Sequence, residues 1–166
     1  LNINDLEDKM NFLKKMNIDI VDIGGESTRP GSDPVGPEEE WRRIKPVIEV
    51  ALQKDLTVSV DTYRLSVASS ALDMGAHIIN DVTGMENEEM AILSKKYESG
   101  LVIMHRKGTF KNMQDNPYYD NVILEILDFF YNRIHIAMKY GIEDNIILDP
   151  GIGFGKRIED NLDIIR

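Results

Sequence analysis

Short runs of apolar, largely β-branched residues alternate along this chain with longer stretches whose apolar positions recur every three or four residues. The short runs read as strands and the longer stretches as helices. Strands are expected over 18–23, 56–60, 76–79, 101–104 and 145–148. Helices are expected over 5–16, from 36–37 onward, over 63–74, 88–97 and 118–140, and from 159. Local signals mark their ends. Asn4 with Glu7 forms a capping-box pattern, Pro37 suits a first helical turn, and Glu38, Glu39 and Glu40 complement the helix dipole there. Trp41, Ile44, Ile48 and Ala51 form the inner stripe of the second helix, in which Pro46 should make a kink. Gly75, Gly100 and Gly141 are placed to close helices.

The resulting order is αβαβαβαβαβα. Short strands apolar on both faces belong to a parallel sheet covered by helices. Each strand runs out into polar residues: Asp22 before Gly24, Asp61, Asn80 with Asp81, His105, and Asp149. Barrel enzymes carry their chemistry at such C-terminal strand ends, whereas a doubly wound sheet concentrates it at one switch point. Five polar strand ends in succession therefore indicate a TIM (β/α)8 barrel, of which the chain supplies about five consecutive units. A whole barrel takes about 250 residues, so with 166 residues this one is expected to be incomplete, as a single domain over 1–166.

The most unusual stretch is 22–32, D-I-G-G-E-S-T-R-P-G-S. It follows a strand and cannot pack a core. Paired glycines allow a sharp turn or a close approach, Pro30 stiffens the segment, and Arg29 offers a planar cationic fork.

Composition narrows the classes. The chain is 42% hydrophobic and 29% charged, as expected for a globular domain rather than a disordered one. A net charge of −10 argues against nucleic acid as a partner. No apolar run is long enough to span a membrane, and no signal peptide is apparent. The absence of cysteine excludes disulfides and thiolate metal sites, and fits a cytoplasmic location. Arg29, Arg106, Lys107, Lys111, Lys156 and Arg157 all follow strands, so a locally cationic face is expected on an acidic protein.

Five segments together resemble the signatures of dihydropteroate synthase, in family order. They are 22–32, then Val58-Ser59-Val60-Asp61-Thr62, then Ile79-Asn80-Asp81-Val82-Thr83-Gly84. Met104-His105 with Gly108 and Met113-Gln114 follows, and the last is Asp149-Pro150-Gly151-Ile152-Gly153-Phe154-Gly155-Lys156. The resemblance implies a pterin-binding barrel that condenses 6-hydroxymethyl-7,8-dihydropterin pyrophosphate with 4-aminobenzoate, giving 7,8-dihydropteroate and pyrophosphate. It implies Mg2+ on the pyrophosphate and a homodimer. It also shows departures. The family's first-strand Asn that helps hold the metal, its seventh-strand Lys, and its eighth-strand Arg and His have no counterparts here. No metal ligand is therefore assigned within this chain, and the isolated segment is expected to be inactive. Phe110 stands where the family often has Pro.

The resemblance assigns roles to individual residues. Asp149 would accept adjacent N–H groups of the pterin edge, and Asn80 would complement the mixed edge of the same ring. Asp61 would stabilise positive charge developing as pyrophosphate departs. Met104 would pack on the pterin ring. Thr28, Arg29, Pro30, Ser32 and Phe154 would border the aminobenzoate, with Arg29 facing either that aromatic acid or the leaving pyrophosphate. Asp22 and Glu26 would hold the loop, and His105, His77 and His135 belong to the scaffold. Lys156 and Arg157 would either attract pyrophosphate or face solvent. Each site residue also has a local reading: Asp149 as a turn residue before Pro150, Asn80 as a turn residue, Asp61 as a helix N-cap, Phe154 as core.

Three other functions fit the pattern less closely. A pterin-dependent methyltransferase domain would share the pterin-edge groups, but it does not call for the S-T-R-P-G-S loop. A metal-dependent hydrolase could gather Asp22, Glu26, Asp61, Asp81, His105 and Asp149, yet the chain lacks a paired H-x-H or H-x-x-x-H. A non-catalytic remnant would expose two open sheet edges.

Overall fold

Five short strands pair side by side in the order in which they occur in the chain. The computed structural model describes residues 3–27 and 34–166. The strands are β1 (Ile20–Gly24), β2 (Thr57–Asp61), β3 (Ile78–Asp81), β4 (Gly100–Met104) and β5 (Ile146–Asp149). The helices are α1 (Ile3–Lys15), α2 (Pro37–Gln53), α3 (Leu65–Met74), α4 (Glu89–Tyr97), α5 (Val122–Lys139) and α6 (Ile158–Ile165). Every strand pair is parallel. The strand order never reverses, so there is no switch point of the doubly wound kind. This is five consecutive units of a (β/α)8 barrel, left open at β1 and β5.

The helix-facing side of the sheet is the core. Val58, Val60, Ile79, Leu101 and Ile103 are fully shielded from solvent, packed with Ile44, Ile48 and Ala51 of α2 and Val67, Ala68 and Ala71 of α3. A second cluster, Tyr119, Val122, Ile126 and Phe130, lies under α5. The other side of the sheet would line the barrel, and its strand tips remain accessible. Ile147 on this side of β5 is exposed, as are Leu148 on its other side and Phe12 and Met16 in and just after α1.

Several local expectations need correction. α1 begins at Ile3, so Asn4 lies inside the helix and not at its cap. α2 does contain Pro46 within its span, where a kink is expected. It has Pro37 in its first turn and buries Glu40 as well as Ile44, Ile48 and Ala51, whereas Trp41 is half-buried. α4 is closed by Glu98 in the left-handed conformation, and Gly100 already belongs to β4. Gly75 does close α3, with φ +107°.

Candidate active site

The register of the sheet decides which side chains meet. Residues paired across parallel strands point to the same side, and alternate residues point to opposite sides. Gly24 pairs with Asp61, Asp61 with Asn80, Asn80 with Val102, and Met104 with Asp149. By parity, Asp22, Asp61, Asn80, Met104 and Asp149 share the barrel-lining side, at the C-terminal ends of all five strands. Asp81 faces the other way. It is buried and accepts from the backbone N–H groups of Thr83 and Met85 and from the Thr83 hydroxyl. It therefore shapes the turn after β3 and takes no part in the site.

Asp61 carries no hydrogen bond to its carboxylate among the described residues. It does not cap α3 either, because the cap position is Arg64, without a side-chain bond. Burial pushes the Asp61 carboxyl up to about 7, reinforced by the negative charges of Asp22, Glu40, Asp81 and Glu26. Gly24 lies alongside, and a Cβ there would approach Asp61 Oδ2 to 3.3 Å. Asn80 donates from Nδ2 to Asp22 Oδ2 at 3.1 Å, which leaves its buried Oδ1 without a partner among the described residues. Asp22 thus lies on the barrel-lining face at its strand end, and its partner among the described residues is Asn80 of β3 rather than the loop it was expected to hold.

Asp149 accepts the Gly151 N–H at Oδ1, 2.7 Å away, and its second oxygen has no hydrogen bond among the described residues. The turn role and a ligand role therefore use different oxygens. The following loop is tightly built. A Cβ on Gly151 would fall 2.0 Å from the His105 carbonyl oxygen, and one on Gly155 would fall 2.2 Å from that of Lys107. Gln114 Nε2 donates to the Gly153 carbonyl and the Tyr119 hydroxyl to that of Gly155. Phe154, half-buried at the tip, is held in this frame, and Met104 is buried beneath Gly151.

Lys156 is part of the same frame and does not face a ligand or solvent. Its ammonium is buried and donates to the carbonyls of His105, Gly151 and Phe154 at 3.1, 2.9 and 3.1 Å. Burial pulls it down to about 8, while Asp149 and Asp160 pull the other way. Of the five described residues expected to form a cationic face, Lys156 is buried, three are ion-paired and Lys111 is exposed. Arg106 pairs with Glu86, Lys107 with Glu125, and Arg157 with Asp160. The described strand tips form an acidic face. Thr28, Arg29, Pro30 and Ser32 lie outside the described residues. His105 is a scaffold residue: it is buried and packs edge-on against Phe129, and burial with the nearby Lys156 and Lys107 lowers it to about 4.

Glu26 has the anchoring role expected of it. It accepts from the Tyr63 hydroxyl at 2.9 Å, from Val35 N at 3.1 Å and from Arg64 Nη2 at 2.6 Å. The described residues contain no group of three or more His, Cys, Asp or Glu side chains able to hold a metal ion. The carboxylates and His105 named for a metal-dependent hydrolase therefore do not gather into such a cluster. A cavity of about 480 Å³ lined by Ser94, Ser99, Gly141 and Asn145 lies among the connections leading into β4 and β5, at the opposite end of the strands.

Comparison with known proteins accounts for this arrangement. The chain is 42% identical to dihydropteroate synthase of Clostridium beijerinckii over 98% of its own length and 60% of that protein. It superposes with a TM-score of 0.89 on dihydropteroate synthase of Thermus thermophilus in complex with 4-aminobenzoate, at 38% identity, covering 96% of this chain and 61% of that one. The enzyme of Anaplasma phagocytophilum with bound 6-hydroxymethylpterin-monophosphate matches with a TM-score of 0.90 at 31% identity, over 98% of this chain and 67% of that one. The chain thus spans about three fifths of the length of the Clostridium relative. The family model for pterin binding enzymes matches residues 4–166, and with Asp22, Asp61, Asn80, Met104 and Asp149 of five successive strands on one face, the chain belongs to the pterin binding enzyme family.

Proposed function

We propose that the protein carrying this chain is a dihydropteroate synthase, with residues 1–166 forming most of one pterin-binding domain. The single observation that supports this best is the register placing Asp61, Asn80, Met104 and Asp149 on one face. The Asp149 oxygen and the Asn80 Oδ1 that have no partner among the described residues suit the N–H groups of a pterin edge, and Met104 supplies an apolar wall for the ring. Relatives crystallised with 4-aminobenzoate and with 6-hydroxymethylpterin-monophosphate support the pair of substrates.

The reaction follows from these placements. The bond between the exocyclic methylene carbon of the dihydropterin and the pyrophosphate oxygen breaks first, and its electron pair leaves with pyrophosphate. The resulting cation is delocalised into the ring. Asp61, unpaired and in low-dielectric surroundings, stabilises that charge while ionised. The amino nitrogen of 4-aminobenzoate then attacks the methylene carbon and loses a proton to solvent. By the family resemblance, Phe154 with Thr28, Arg29, Pro30 and Ser32 would border the aromatic acid, with Arg29 directed either to that acid or to the pyrophosphate. Mg2+ neutralises the pyrophosphate when bound. Such an ion takes one or two protein ligands together with pyrophosphate oxygens and water, and by the family resemblance its protein ligand is the first-strand Asn, which has no counterpart in this chain.

The working protein is a cytoplasmic homodimer. No described helix is long and apolar enough to cross a membrane. Apolar residues left exposed on α5 and α6, among them Leu127, Tyr131, Ile158 and Ile165, leave surface for further chain or a second copy.

Calorimetric titration with 6-hydroxymethylpterin tests the reading, with Asp149→Ala alongside. Saturable binding that the variant loses is the expected result. Equal binding by the variant, or failure of the whole protein to form dihydropteroate from both substrates, would refute it.

A further inference from the structure

We propose that Arg64 is a positioning residue for this reaction: it pairs with two buried carboxylates, Glu26 and Glu40, and so keeps Asp61 available as the charged group of the site. The inference rests on the synthase reading above. Arg64 lies three residues beyond Asp61, and one guanidinium serves three elements. Its Nη1 donates to Glu40 of α2. Its Nη2 donates to Glu26 Oε2 at 2.6 Å and to the Val35 carbonyl at 2.7 Å. Its plane lies over the Tyr63 ring, 4.6 Å from the centroid. The Glu40 side chain is 1% exposed, that of Glu26 10% and that of Arg64 16%, so water screens these charges little.

The charges that act on Asp61 explain why this pairing matters. They are Asp22 from β1, Glu26 from the segment after β1, Glu40 from α2 and Asp81 from β3, all negative. Asp22 is held by the Asn80 amide, and Asp81 by a hydroxyl and two backbone N–H groups. Among the described residues, Arg64 is the cation that pairs with members of this set. With Arg64 removed, Glu26 and Glu40 would stand uncompensated beside Asp61 and hold its proton more tightly. A lysine could not replace the fork, because an ammonium is a point charge that cannot span both carboxylates and the Val35 carbonyl with the same planar geometry.

The test is the pH dependence of dihydropteroate formation and of 6-hydroxymethylpterin binding by the whole protein, measured for wild type, R64Q, E40Q and R64Q/E40Q. In R64Q the acid limb of kcat/KM should move up by about one pH unit, a loss of about fivefold at pH 7 that is recovered in alkaline buffer. R64Q/E40Q has the wild-type net charge in this cluster, and its limb should return towards the wild-type position. If R64Q does not fold, E40Q decides: it retains Arg64 and removes one negative charge, so its limb should move down. An acid limb that stays in place in the folded variants, with activity lost equally at every pH, would overturn the role of Arg64. Wild-type protein that forms no dihydropteroate would overturn the synthase reading and this inference with it.

Discussion

Asn80 Nδ2 donates to Asp22 Oδ2 at 3.1 Å, joining the first and third strands across the tip of the strand that carries Asp61. This bond fixes which way the Asn80 amide faces. A carboxylate can only accept, so it takes the NH2 group and leaves the carbonyl oxygen for another donor. Asn80→Ala should lower pterin affinity by about tenfold, the worth of one hydrogen bond to a ligand. Asp22→Asn should weaken binding less, because an amide at position 22 can still accept from Nδ2. Titration of both variants with 6-hydroxymethylpterin checks the order.

The raised Asp61 carboxyl predicts a pH dependence of stability. The unfolded chain releases this proton near pH 4 and the native one near 7. Between those values the native state binds the proton more tightly, so stability from this group is full below pH 4 and falls as pH rises through 7. Asp61→Asn removes the dependence. The variant should be more stable than wild type at pH 8, by on the order of 3 kcal/mol, and much closer to it at pH 4. Urea unfolding at the two pH values measures the difference.

Lys156 should be more important to stability than a surface lysine. Lys156→Met leaves the carbonyls of His105, Gly151 and Phe154 without their shared donor, at a cost of about 3 kcal/mol. Because these carbonyls frame the loop that carries Phe154, the KM for 4-aminobenzoate should rise more than that for the pterin substrate. Gly151→Ala should be at least as damaging, since φ is +66° and its Cβ would meet the His105 carbonyl oxygen at 2.0 Å. Thermal unfolding and steady-state kinetics of both variants test this.

His105 should remain neutral throughout the working range. Its folded value of about 4 lies below the ordinary 6.5, so the unfolded chain takes up a proton first as the medium is acidified. The contribution of His105 to stability is full above pH 6.5 and declines as pH falls towards 4. The imidazole signals in an NMR titration should move only below about pH 5. A midpoint near 6.5 would contradict its placement beside Phe129 and Lys156.

Much of the site was legible in the sequence, because a parallel strand buried on both faces leaves a one-dimensional trace. Its apolar run stops where the strand leaves the core, and the polar residue at that point is at the barrel rim. That rule is enough to select Asp61, Asn80 and Asp149, and alternation along each strand separates Asn80 from its neighbour Asp81. The same trace predicts five consecutive units and their order. Element ends moved by one to four residues, because hydrogen bonds between neighbours and not apolar content decide where a strand stops, as when β1 extends to Gly24 opposite Asp61.

Charged residues were not legible in this way. Glu40 and Arg64 look in sequence like ordinary residues at the start of helices, and Lys156 like a basic residue in a polar loop. Their roles depend on partners far along the chain: Arg64 meets Glu26 and Glu40 at separations of 38 and 24 residues, and Lys156 meets the His105 carbonyl at 51. Burial of an ion is tolerable only when such a partner is present. Apolar periodicity therefore determined the strands, their parallel order and the polar strand tips. Only the tertiary structure decided which charges are neutralised within the fold, because ion pairing depends on distance in space, which spacing along the chain does not encode.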